Sequence, residues 1–162
     1  MMLVNTTLRL RLGIAAVSLA AAVAVYCLAR YYPPTLLEPI RATQATLAAL
    51  PGLFGSLPSL FYILAIGLLV GCCADTPAGA RLHCSLWIGV GLALELSQHP
   101  LIAAPLSTWL PAVLGDPAWT LIGPYWLRGS FDPADLLATL GGGAVALAIL
   151  AYTRENKHEA VR

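Results

Sequence analysis

Trp87-Ile-Gly-Val-Gly-Leu-Ala-Leu-Glu95-Leu-Ser-Gln98-His99 sets a carboxylate inside an otherwise apolar run. As a helix, rising about 1.5 Å per residue, the run reaches well into a bilayer. A carboxylate near the centre of such a helix costs about 2.5 to 3.5 kcal/mol on insertion scales. It persists only where it faces partners. Trp87, Gly91, Glu95, Gln98 and His99 fall at offsets of four, eight, eleven and twelve, so they share one helical face. One stripe therefore carries a ring, a gap, a carboxylate, an amide and an imidazole.

Composition sets the solvent of the remaining surface. Of 162 residues, 59% are hydrophobic and only 10% charged, and the mean hydropathy is +0.78. A soluble domain carries about 25% charge. The chain reads as a single domain, 1–162, of an integral membrane protein. A net charge of +1 excludes a basic nucleic-acid face as the main theme. Cys27, Cys72, Cys73 and Cys84 lie in or beside apolar runs, which disfavours a secreted disulfide framework. Adjacent cysteines lack the usual zinc spacing, so with His83 they read as buried apolar residues before metal ligands. No metal and no cofactor is expected.

Four apolar spans are predicted, at about 12–30, 58–74, 83–100 and 133–152. The first follows Arg9 and Arg11 and reads as an uncleaved helix; it is longer than a usual signal-peptide core. Residues 36–50, with Glu38, Arg41 and Gln44 on the polar side, predict a short interfacial helix. Pro58 suits a first helical turn. Residues 101–130 hold Trp109, Trp119, Tyr125 and Trp126 among Pro105, Pro111, Pro117 and Pro124. Proline at that density argues against a long helix, and tryptophan fits a membrane interface. This predicts a loop on the membrane, with at most a helical turn near Thr108 to Leu114. The fold class is thus all-α: a polytopic membrane protein with four transmembrane helices, a short interfacial helix and a Trp/Pro-rich interfacial loop.

Asp132 and Pro133 read as cap and first position of the last helix. Ala134, Ala138, Gly142 and Ala146 recur every four residues, a stripe that lets another helix come close and that could dock on a membrane protein partner. Arg9, Arg11, Arg81, Arg154, Lys157 and Arg162 fall on one side of the membrane. Arg30, Arg41 and Arg128 fall on the other. That bias predicts cytoplasmic termini in a bacterial inner membrane.

With that topology Glu95, Gln98, His99, Arg128, Asp132 and Asp135 lie at the extracytoplasmic end. Two acids there suit general acid–base work on a lipid-linked substrate. The same groups suit binding of a cation or of sugar hydroxyls. They also have structural readings: Asp132 and Asp135 as helix caps, Glu95 and Gln98 as an interhelical clamp to Arg128 or to a helix end, His99 as a helix end. Trp87 with Gly91 reads first as packing, and Tyr62 as an interface aromatic.

Leu57-Pro-Ser-Leu-Phe-Tyr62, then Glu95-Leu-Ser-Gln98, then Arg128-Gly-Ser-Phe-Asp132-Pro-Ala-Asp135-Leu leading to Gly141-Gly-Gly143, resembles the VanZ-like family of small bacterial membrane proteins. The resemblance covers about residues 56–150. Many members carry His where Tyr62 stands, Asn near Gly143, and a shorter segment between the Gln and the Arg. The resemblance implies an envelope role, since the family's namesake confers low-level resistance to the glycopeptide teicoplanin. It implies no particular reaction. The expected function is an extracytoplasmic polar pocket that binds or shields an envelope glycan, lipid or glycopeptide. The alternatives are a membrane-embedded enzyme using Glu95 with Asp132 or Asp135, and a helper subunit docking through the small-residue stripe.

Overall fold

The structure, a computed structural model, describes residues 2–29 and 53–159, with the side chains of residues 6–26, 55–127 and 129–153. The predicted interfacial helix at 36–50, and Arg30 and Arg41, lie outside the described residues. Those described form helices: α1 Met2–Ala29, α2 Leu53–Cys72, α3 Pro77–Ser97, α4 Pro100–Leu114, α5 Asp116–Arg128 and α6 Pro133–Glu159.

Among the described residues, three stretches are long and apolar enough to cross a membrane: Thr6–Tyr26, Gly55–Cys72 and Pro133–Thr153. Four were expected. α3 has the length, at 21 residues, but Arg81, His83 and Glu95 dilute its apolar character.

α1, α2, α3 and α6 form a bundle with α2 at its centre, packed on the other three. The contacts give the directions. Gly67 meets Ala146 and Gly71 meets Leu150, so α2 and α6 run parallel. Gly91 meets Ile63, and the His83 ring contacts the Val70 carbonyl, so α3 runs antiparallel to α2. Arg11 near the start of α1 bonds α6 near its end, while Tyr26 and Pro58 line one groove at the opposite end. One end of the bundle thus gathers Arg11, Cys72, Ala80 and Thr153. The other gathers the last turns of α3 and the first of α6.

Between apolar helices in lipid, close packing and not water exclusion holds the contact, so small residues matter. Gly142 is the tightest case: a side chain there would run into the Leu60 backbone carbonyl. Ala146 is fully buried against α2. These two members of the small-residue stripe are therefore taken up inside the chain. Around them Leu64, Leu68, Cys84 and Leu150 complete the core. Cys84 behaves as the apolar residue it was read to be; Cys73 is exposed, with its thiol on the Leu69 carbonyl.

Three local expectations are corrected. Residues 101–130 are two helices, not a loop. Pro100 and Pro117 sit in first turns, where a missing N–H costs nothing. Pro105, Pro111 and Pro124 lie inside the helices. The Ser107 and Thr108 hydroxyls both donate to the Ala104 carbonyl. Gly115, at φ 76°, makes the break between them. Pro58, expected in a first turn, lies inside α2, which begins earlier at Leu53. α3 begins at Pro77 and not near His83, because Thr76 caps it by accepting from the Gly79 amide at 3.0 Å.

Candidate functional site

The polar end is assembled from the last turn of α3, the end of α5 and the start of α6. Glu95 is half-buried and stands within electrostatic reach of Asp132 and Asp135. The sequence separates these acids by about forty positions; the antiparallel packing of α3 on α6 brings them together.

Their environments differ. Asp132 is exposed, and one of its oxygens accepts from the Ala134 amide at 2.9 Å. It is the cap of α6, as the structural reading had it. Asp135, one turn on, buries Oδ1 with no hydrogen-bond partner among the described residues. A buried acceptor left unmade costs about 1–3 kcal/mol, so this oxygen is the unspent group of the site.

The α4–α5 hairpin folds back on itself about Gly115, and two hydrogen bonds tie its second arm to the end of α3. Trp126 Nε1 donates to Ser97 Oγ at 2.9 Å, and that hydroxyl donates to the Leu94 carbonyl at 2.6 Å. Gln98 Nε2 donates to the Tyr125 carbonyl at 3.5 Å. Trp126 stacks on Trp119 with centroids 6.2 Å apart and meets Tyr125 edge-on at 5.3 Å. The rest of the hairpin is turned outward: Leu101 and Leu121 are about 80% and 82% exposed.

Tyr125 belongs to the acid cluster although the sequence offered it only as an interface aromatic. Burial pushes its phenol up to about 12, the carboxylates of Glu95 and Asp135 add to the effect, and a Ser97 hydrogen bond opposes it. A group kept neutral beside two carboxylates is a hydrogen-bond donor at any physiological pH. Nothing local in the sequence announces this, because a fold-back of 27 residues delivers it.

The other predicted residues take different places. Gln98 caps α3 and packs against Gly129. His99 caps α4, accepting from the Leu101 amide at 3.3 Å, with its ring edge-on to Phe131 at 5.0 Å. Trp87 lies about 12 Å further down α3. There it tilts against Tyr62 at 6.1 Å and buries an indole N–H with no partner among the described residues. Trp87 and Tyr62 therefore sit in the bundle and not beside the acids. The Arg128 backbone closes α5, but its side chain lies outside the described residues, as does any neutralisation by it.

Chemically, the site presents carboxylate acceptors, a phenol donor and an aromatic wall. Among the described residues no group of three or more His, Cys, Asp or Glu is placed to hold a metal. No protein-family model, curated protein or solved structure matches this chain.

Proposed function

We propose that the chain is a VanZ-like protein of the bacterial inner membrane, whose polar end faces outward and binds an envelope glycan, lipid headgroup or glycopeptide. α3 is its fourth crossing. If α2 and α6 both span, running parallel, the chain must return across the bilayer between them, and α3 makes that journey against both. The Lys and Arg bias places the termini inside and the acid cluster outside. On that side the hairpin lies against the membrane with its apolar residues in the interface.

One observation carries the binding reading: a buried Asp135 oxygen without a partner among the described residues, beside Glu95 and a neutral Tyr125 phenol. Such a set satisfies itself by accepting from ligand hydroxyls or amines. Aromatic rings around it suit the flat faces of sugars or of a glycopeptide's side chains.

The test is expression in a teicoplanin-susceptible bacterium. Wild type raises the inhibitory concentration of teicoplanin, while Glu95→Gln and Asp135→Asn accumulate in the membrane without doing so. Full protection by either variant contradicts the reading. The proximity of Glu95 to Asp135 also favours a second reading, acid–base catalysis on a lipid-linked substrate. That requires turnover by purified protein, with a pH profile reporting two ionisations.

A further inference from the structure

The opposite end of the bundle holds a cavity of about 260 Å³, walled by Thr7, Arg11, Cys72, Asp75, Thr76 and Thr153, among others. Arg11 lies five residues past Thr6, the first residue of the α1 span, or about 8 Å along the helix. A cation at that depth usually snorkels to the interface. Arg11 instead turns inward. Its Nε and Nη2 donate to Thr153 Oγ1 at 3.0 and 2.8 Å, and Nη2 reaches the Leu150 carbonyl at 3.4 Å. Thr153 is itself buried, and its hydroxyl is fixed on the Ile149 carbonyl at 2.6 Å. The guanidinium is thus held in one pose by neutral acceptors. A guanidinium has five N–H groups; these bonds use two of its nitrogens, and the Cys72 thiol in the same wall is a further hydrogen-bond partner of Arg11. Its positive charge stands in the wall of an open space.

The other charged group of the lining is Asp75, which is exposed and so screened by solvent. The first turn of α3, the positive end of that helix, lines the same space through Thr76 and Pro77. We propose that this cavity binds a phosphate ester through Arg11, either the headgroup of an anionic lipid in the adjoining leaflet or a free phosphate. Arginine suits the task because its planar fork matches phosphate oxygens. The site is at the far end of the molecule from the acid cluster and does not depend on the function assigned there.

The test uses the full chain in a phosphate-free maltoside detergent and reads its thermal midpoint. Inorganic phosphate is titrated in one arm and short-chain phosphatidylglycerol in the other, each against sodium chloride at equal ionic strength. A ligand that binds the folded state raises the midpoint saturably. A rise with phosphatidylglycerol alone assigns the site to lipid. A rise with both assigns it to phosphate in general. No rise beyond chloride in either arm overturns the proposal. Arg11→Gln abolishes the rise, and because that variant also loses the Thr153 bonds, Asp75→Asn supplies an independent check. Removing this exposed, screened carboxylate leaves binding as tight as in wild type or slightly tighter; weaker binding by Asp75→Asn would mean that the cavity favours cations, and would overturn the proposal equally.

Discussion

The two ends of the bundle handle charge in opposite ways. At one, Arg11 is fixed on Thr153 and on the Leu150 carbonyl, so the fold itself holds the cation. At the other, Glu95, Asp132 and Asp135 stand within reach of one another, and a buried Asp135 oxygen has no partner among the described residues. Like charges drawn together on facing helices oppose folding. The difference teaches where stability and function separate: charge the protein satisfies internally is architecture, whereas charge it gathers and leaves unpaired is for something else.

The comparison breaks most completely if the helices between the ends are forced apart. Gly142→Val drives a side chain against the Leu60 backbone, which cannot yield as a side chain would. A loss of about 3 kcal/mol or more is expected, seen as failure to accumulate in the membrane or a collapsed thermal midpoint. A Gly142→Val protein as stable as wild type would mean that α2 and α6 do not pack this way.

Next comes the asymmetry between the ends. Arg11→Gln removes charge-assisted bonds and should cost about 2 kcal/mol, measured as a lower midpoint in detergent. Asp135→Asn and Glu95→Gln remove like-charge repulsion, so their midpoints should stay level or rise even where the proposed binding function is lost. Loss of stability in the acid variants comparable to Arg11→Gln would erase the distinction drawn here.

A smaller effect comes from Tyr125. Its phenol titrates near 10 in the unfolded chain and is pushed up to about 12 in the fold. The folded state therefore resists ionisation. The stability held through this residue is fully present below about pH 10 and is lost as pH rises from there toward about 12. The phenolate absorbance of wild type minus Tyr125→Phe should show one tyrosine titrating late. Removing the nearby carboxylate with Glu95→Gln should bring that titration earlier.

Much of this could be read from the sequence, because period and composition are local. The apolar runs located the helices of the bundle, and the Asp132-Pro133 pair located the start of α6. Glu95, Asp132 and Asp135 were placed at one end by alternating direction alone. Other features are tertiary. The proline-rich stretch looked like a loop because proline rules describe isolated helices in water; here Gly115 breaks it into two short helices that pack on each other. Pro58 was misplaced for the same reason. Tyr125 and Trp126 reach Ser97 and Gln98 only because the hairpin returns, and no spacing in the sequence encodes that return. The small-residue stripe was read as a docking face for a membrane partner, and that docking stays a proposal. Its partner at Gly142 and Ala146 is α2 of the same chain.

The central claim is that α3 carries the chain from the Arg11 end to the acid end across a bilayer. Sided labelling tests it most directly. With the native cysteines replaced, single cysteines at positions 75, 99 and 132 are exposed to a membrane-impermeant thiol reagent on intact cells. Positions 99 and 132 should label from outside, and position 75 only after the membrane is opened. Labelling of 75 and 99 from the same side would contradict the account.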